Sequence, residues 1–429
     1  MYFNSMRKVS VKIVYSVAII VLTLFNLTPA LDSFDTAYYL LAGEKLWQGE
    51  IDCLRTPVYP LLLKICSLPW GERGMSVLVT ILQSAVFLVS VWAFYDMLHR
   101  LVKREAIVFW CSLYYAVIPA SGWANEMLTE SLSISLMVIL TRGLVCYLQA
   151  PNWKQALWIN ILLTTMVFLR PNFIAFFAII PVVIILKSLN RHPAKDRCFR
   201  ANYGAILLFL LIPVGSYLGY CKAYENKYGT FAPIMCDTYN LQRGGGWDSE
   251  CVTNPDAKLL CMDLDKDQDK SYASVYKVIN TTHRADLLKE ACLDMRAIHR
   301  REYISQKVRM ISSGMGEGIL PAVNTHSALS VLLFFGSKTM AMPVSFAYFL
   351  TIVGCIVLII HTIKKRSIPV TATLLVSILL AQVAGITAAA SDSLWRHFSI
   401  LVPIMLAMIG MGVDKMFDSP IFEYHHKEQ

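Results

Sequence analysis

VKIVYSVAIIVLTLFNL, residues 11–27, decides the fold. The run is apolar almost throughout and lacks the alternation of apolar and polar residues that a lipid-facing barrel strand shows. A helix is what remains, because in hydrocarbon every backbone amide and carbonyl needs a partner within the protein. The rest of the chain repeats the pattern. Of its 429 residues 56% are hydrophobic and 16% charged, and the mean hydropathy is +0.50. Such a composition excludes an ordinary soluble domain, and the expected fold is all-α and polytopic.

About 20 apolar residues cross a hydrocarbon core about 30 Å thick. By that measure ten crossings are expected, at 11–30, 76–97, 106–121, 128–149, 157–169, 173–187, 203–221, 342–363, 369–389 and 397–414. Lys and Arg in short loops select the orientation. Arg7, Lys8 and Lys12 place the N-terminus inside, and the clusters Arg100–Arg104, Arg191–Arg200 and Lys364–Arg366 then fall on the same side. That parity requires LWINILLTTMVFLRPNFIAFFAIIPVVIIL to be two short helices split at Arg170 and Pro171. It also requires HSALSVLLFFGS, from His326, to be re-entrant or interfacial. Topology explains the net charge of +9, so the bilayer is the expected partner and nucleic acid is not. The first apolar run is too long for the core of a cleaved leader, although Ala30 closes a small-residue tripeptide.

Two substantial parts then face outward, Leu31 to Gly74 and Lys222 to about Thr325. Three parts of the chain follow: a transmembrane module over 1–221, an extracytoplasmic region over 222–325, and C-terminal helices with a short tail over 326–429. Four of the eleven cysteines, Cys236, Cys251, Cys261 and Cys292, lie in the outward region, where an even number suggests two disulfides. No C-x-x-C spacing or third histidine beside His425 and His426 proposes zinc.

The first outward part opens on DSFDTAYYLLAGEKL, from Asp32, a helix expected to run to about Gln48. Asp32 as N-cap and Asp35 at the third helical position would form an ordinary capping arrangement. CLRTPVYPLLLKI follows from Cys53, with Pro57 and Pro60 expected to hold an extended path back to the membrane. Asp35, Tyr39, Ala42, Gly49, Arg55, Pro57, Tyr59 and Pro60 together resemble the first external loop of GT-C glycosyltransferases, in the pattern of protein O-mannosyltransferases and lipid A aminoarabinose transferases. Thr36 stands where that motif has Glu, which leaves the family role open between Asp35 and Asp32. Weaker matches follow in order: Glu130 at the mouth of the fourth span, FLRPN at Arg170, ENKYGTFAPIMCDTYNLQRGGG, and SLWRHFSILVPIML with His397 where Tyr is usual.

The resemblance implies inverting transfer of a sugar from a polyprenyl-phosphate donor to a lipid, glycan or protein acceptor, at the periplasmic face of a bacterial inner membrane. It implies Asp35 as the base, with Asp32 or Glu130 as the other carboxylates of the site. Arg55 would hold the donor phosphate, Arg396, Arg170 and Arg243 would be further candidates, and Tyr39 and Tyr59 would line the substrate. Phosphate suits arginine, whose planar fork grips two oxygens. A charge at bilayer depth costs about 2.5 to 3.5 kcal/mol and so should have a partner. Snorkelling at a helix end is the alternative role for Arg170 and Arg396, and a flexible loop that for Arg243 beside its glycines. No organic cofactor is called for, and a divalent cation is left open. Arg142 is expected to snorkel or to pair with a neighbouring helix. DLDKDQD at Asp263 lacks the glycine and terminal Glu of a calcium loop, and NTT at Asn280 fits a glycosylation sequon. Two rivals remain. A transporter would show interrupted helices in corresponding halves. A lipid-linked oligosaccharide polymerase or ligase would rely on late-loop arginines such as Arg243, Arg296, Arg300 and Arg301.

Overall fold

A computed structural model describes residues 2–25, 35–117, 122–189, 204–234, 249–266, 272–317, 341–365, 368–389 and 394–417. Within these the chain is helical, and no β-strand occurs among the described residues. In order, α1 is Tyr2–Phe25, α2 Thr36–Trp47, α3 Val58–Ser67, α4 Gly71–Leu101, α5 Glu105–Val117, α6 Glu130–Gln149, α7 Trp153–Leu169 and α8 Phe176–Leu189. Then come α9, Gly204–Tyr228, α10 Pro255–Lys266, α11 Tyr272–Thr282, α12 Ala285–Ile298, α13 Arg300–Gly314, α14 Val344–Lys365 and α15 Val370–Ala389. The last helix, α16, is Arg396–Phe417.

Among the described residues seven helices are long and apolar enough to cross a membrane: α4, α6, α8 with the turn before it, α9, α14, α15 and α16. The other three expected crossings fall on shorter apolar helices, Val9–Thr23, Glu105–Val117 and Trp153–Leu169. The division at Arg170 is present. Arg170 is extended (φ −154°, ψ 116°) between α7 and a 3-10 turn over Pro171–Ala175. The re-entrant segment expected from His326 and the Arg191–Arg200 cluster lie outside the described residues.

Lipid and protein faces follow helical spacing. On α14, Phe349, Ile352, Ile356, Ile359 and Ile363 recur every three or four residues and stay exposed, while Ala347 and Thr351 are buried. One buried apolar cluster runs through the long helices from Val14 to Ala407. A second joins Cys53 and Leu54 to Tyr224 and Tyr228 of α9 and to α10, α11 and α12. Cys261 and Cys292 are fully buried members of that second core. The two expected disulfides are corrected accordingly: no disulfide joins Cys251, Cys261 and Cys292, and Cys236 lies outside the described residues. Cys261 and Cys292 are packed in the apolar cluster, and Cys251 Sγ lies 3.2 Å from His299 Nε2, roles that spacing alone does not distinguish from a bridge.

The path after Arg55 also differs from expectation. It is helical from Val58, with Pro57 at the N-cap and Pro60 in the first turn. Proline is tolerated there because first-turn amides have no intrahelical acceptor to lose. The resulting α2–α3 hairpin is tight: a Cβ on Gly43 would lie 2.6 Å from the Pro60 carbonyl oxygen.

Charges at the two ends of the bundle are sorted. Arg100 reaches Gln149 at 2.9 Å, Arg104 pairs with Asp414 at 3.2 Å, and Arg142 pairs with Asp96 at 2.9 Å. Arg142 therefore takes the interhelical partner expected of it. From Gln149 back to Glu130 is roughly 28 Å at a rise of about 1.5 Å per residue, and Glu130 begins the opposite end.

Candidate active site

Asp35 is the residue immediately before α2, yet its side chain makes no capping hydrogen bond. Each carboxylate oxygen accepts from a different arginine instead. Arg55 Nη2 donates to Oδ1 at 2.8 Å, and Arg396 Nη2 donates to Oδ2 at 3.0 Å. Asp35 is thus not the third-position carboxylate of a capping box, and Asp32 lies outside the described residues.

The hairpin brings Arg55 to this point. The Arg55 guanidinium lies 4.5 Å from the centre of the Tyr39 ring, and Tyr39 meets Tyr59 edge-on at 4.9 Å. The Tyr59 hydroxyl donates to Gln83 Oε1 at 3.4 Å. Gln83 Nε2 in turn donates to the carbonyls of Ala124 and Glu126 at 3.0 and 2.9 Å. A buried amide so placed fixes the connection that leads into α6. Thr36 Oγ1 donates to the Met127 carbonyl of the same connection at 3.2 Å.

Glu130, the first residue of α6, has no solvent exposure. Its Oε1 accepts from Arg396 Nε at 2.5 Å and from Arg170 Nη2 at 3.3 Å. Arg170 Nη2 also lies 2.7 Å from His397 Nδ1. The result is an unbroken alternation, Arg55–Asp35–Arg396–Glu130–Arg170, drawn from five places in the chain. Thr56 Oγ1 donates to the Leu169 carbonyl at 3.4 Å, which ties the Arg55 turn to the Arg170 break. Glu130 Oε2 and Arg170 Nη1 are buried without a hydrogen-bond partner among the described residues.

Among the described residues of this ion-pair chain three guanidiniums face two carboxylates, an excess of one positive charge. Burial alone would raise the Asp35 carboxyl, but the Arg55 and Arg396 guanidiniums outweigh it and hold the group below its ordinary range. Glu126, just before α6, behaves oppositely. Burial, opposed by Arg396 and reinforced by Glu130, pushes its carboxyl up to about 7. Two neighbouring carboxyls, Asp35 and Glu126, are thus shifted in opposite directions, which makes the cluster a candidate site.

The structure therefore gathers Asp35, Arg55, Tyr39, Tyr59, Glu130, Arg170 and Arg396 into one place. Arg243 lies outside the described residues. Sequence reasoning missed Gln83 and Glu126. The signal for Glu126 was only a second acidic residue close before Glu130 in an apolar stretch, since it lies in the connection ahead of α6 and not on the helix. No three His, Cys, Asp or Glu side chains converge as on a metal ion among the described residues, and both network carboxylates are engaged by guanidiniums. The sequon residue Asn280 is committed elsewhere: its Oδ1 accepts from Lys45 Nζ at 2.5 Å and its Nδ2 donates to the Tyr276 carbonyl at 2.8 Å.

No family model matches the chain, and no curated protein does. Solved structures do. The oligosaccharyltransferase AglB from Archaeoglobus fulgidus, in complex with an inhibitory peptide and a dolichol-phosphate, aligns at TM-score 0.52 and 11% identity, over 100% of this chain and 52% of that one. The chain has the fold of an archaeal oligosaccharyltransferase. The apo form of the A. fulgidus oligosaccharyltransferase aligns at TM-score 0.53 and 10% identity over 98% and 52% of the two chains. The form tethered to an acceptor peptide containing the NVT sequon gives 0.51 and 10% over 96% and 50%. This chain thus spans about half the length of those oligosaccharyltransferase structures. A likeness at 10 to 11% identity is one of fold alone, and the O-mannosyltransferase or aminoarabinose transferase pattern of the sequence is narrower than that.

Proposed function

We propose that the protein is an integral membrane glycosyltransferase with ten crossings that moves a sugar from a polyprenyl-phosphate donor to an acceptor hydroxyl, with inversion, on the extracytoplasmic face of a bacterial inner membrane. The observation that carries this reading is the ion-pair chain, three guanidiniums against two carboxylates among the described residues, set at the end of the bundle opposite the Arg100, Arg104 and Arg142 pairs. The phosphodiester that joins a sugar to its lipid would meet these guanidiniums at the depth where its tail enters the bilayer, and the monoester is what leaves.

In the mechanism that follows, the donor phosphate competes with Asp35 for Arg55 and Arg396. Each oxygen of Asp35 is bound to one arginine, so an anion that takes both guanidiniums frees the carboxylate. Asp35 then accepts the proton of the acceptor hydroxyl as its oxygen attacks the anomeric carbon. The bond from that carbon to the phosphate oxygen breaks, and its electron pair leaves with the phosphate, where the two guanidiniums hold the added charge. An ionised aspartate is a weak base, so alignment of the reactants supplies much of the rate. Glu130, buried between Arg170 and Arg396, keeps both arginines aimed inward. Tyr39 and Tyr59 present the aromatic wall beside Arg55. No step is routed through a cation.

The test is transfer by purified protein from a panel of radiolabelled polyprenyl-phosphate sugars, with membrane extract as acceptor. Transfer that is lost in Asp35→Asn and weakened in donor use by Arg55→Ala supports the reading. No transfer from any lipid-phosphate sugar, or transfer indifferent to both changes, overturns it. The likeness to oligosaccharyltransferases also favours a second reading, transfer of a preassembled lipid-linked glycan; use of oligosaccharide but not monosaccharide donors in the same assay would select it.

A further inference from the structure

We propose that Asp52 is a positioning residue for Arg55, and that the Tyr276 hydroxyl, reaching Asp52 from α11, ties this arginine to the helical cluster of α10, α11 and α12. The inference rests on the reading of Arg55 as a phosphate-binding group.

Asp52 has no solvent exposure, and a carboxylate is costly to bury unless its oxygens are fully used. They are used on a turn rather than on a helix. Oδ2 accepts from the backbone amides of Leu54 and Arg55, both at 2.9 Å. Oδ1 accepts from the Tyr276 hydroxyl at 3.0 Å. The two amide bonds fix the backbone from which the Arg55 side chain departs, and that side chain ends 2.8 Å from Asp35.

The carbonyls of the same turn are also claimed from a distance. The Tyr228 hydroxyl donates to the Ile51 carbonyl at 2.8 Å and the Tyr224 hydroxyl to that of Cys53 at 2.9 Å. Two phenols from α9 therefore hold the main chain around Arg55 directly, and one from α11 does so through the Asp52 carboxylate. The Tyr276 ring also meets Tyr38 edge-on at 5.9 Å, and Lys45 lies 4.9 Å from its centre. Helix α11 thus touches both α2 and the turn after it, the two walls of the Arg55 position. A displacement of α11, for instance by an acceptor engaging the second cluster, reaches Arg55 through one phenol–carboxylate bond.

A merely structural Asp52 would lower thermal stability and leave phosphate affinity alone, so affinity is the readout. The probe is a polyprenyl monophosphate in detergent micelles, titrated against the full-length protein by intrinsic fluorescence, which requires no knowledge of the sugar. Arg55→Ala should weaken binding about tenfold or more, and Tyr276→Phe, which keeps the ring contacts, about three- to tenfold. The double variant should bind no more weakly than Arg55→Ala alone, because both changes act through one group. Asp52→Asn retains an acceptor oxygen for both amides and should recover most of the affinity lost in Asp52→Ala. Wild-type affinity in Tyr276→Phe and Asp52→Ala, or losses that add in the double variant, would overturn the inference while leaving Arg55 in its role. Wild-type affinity in Arg55→Ala would instead remove Arg55 from the phosphate site, and the inference with it.

Discussion

Replacing Asp35 with Asn separates the two things this carboxylate does. The isosteric amide keeps the shape but loses the charge, so two charge-assisted hydrogen bonds, at 2.8 and 3.0 Å, are weakened at once. Bonds to charged groups contribute about 1.5 to 3 kcal/mol each. The Asp35 side chain is 25% exposed, and solvent screening brings the pair down to about 2 kcal/mol in all. That is a tolerable loss for a bundle of this size, and the variant should fold in membranes. Catalysis should suffer far more. Removal of a general base costs about 100- to 10,000-fold in turnover. Donor binding should move the other way, because phosphate no longer competes with a carboxylate for Arg55 and Arg396 and the surplus charge of the cluster rises by one. The assay is kcat for sugar transfer alongside the donor dissociation constant, measured on protein shown to be monodisperse by gel filtration. Turnover within tenfold of wild type would refute Asp35 as base. Weakened donor binding would refute the competition between carboxylate and phosphate.

Glu130→Gln should cost more stability, because it removes the charge of a fully buried carboxylate shared by Arg396 and Arg170, and removing one partner of a buried pair costs about 3 kcal/mol or more; yield and thermal unfolding in detergent should fall well below those of Asp35→Asn, and equal stability would contradict the burial argument. Glu126 binds its proton up to about pH 7 in the folded chain against an ordinary value of 4.5, so its stabilising share is complete below 4.5 and lost as pH rises through 7. Glu126→Gln should therefore flatten the dependence of unfolding temperature on pH across that window, whereas a profile unchanged from wild type would mean that the carboxyl titrates normally. Gly43→Val should drive α3 away from α2, since even a Cβ would lie 2.6 Å from a backbone oxygen; donor affinity should fall with Arg55 displaced, and wild-type affinity would show that the hairpin yields without cost.

The long helices were legible because a hydrocarbon solvent leaves so few alternatives, and runs such as residues 11–25 admit one secondary structure. Asp35, Arg55, Glu130, Arg170 and Arg396 were legible as charges in apolar surroundings and as parts of a family pattern, but their pairing was not. Nothing in the spacing of residues 35, 130 and 396 says that one guanidinium lies between two carboxylates, because that contact is made by helices far apart in the chain. Pro57 and Pro60 suggested an extended path because proline disfavours helix interiors, and the first turn is the exception. Gln83 and Asp52 were silent because a polar side chain facing backbone groups of another segment has no local signature. The cysteines were misread for a related reason, since a buried thiol and a half-cystine occupy the same positions in sequence.

The position of Arg396 so late in the chain has a consequence for biosynthesis. As helices enter the bilayer in order, Asp35 meets Arg55 and Glu130 meets Arg170 as two separate pairs. Only when α16 arrives, with Arg396 at its start, are the two pairs stitched together. A nascent chain interrupted before α16 has two isolated ion pairs and no joined cluster.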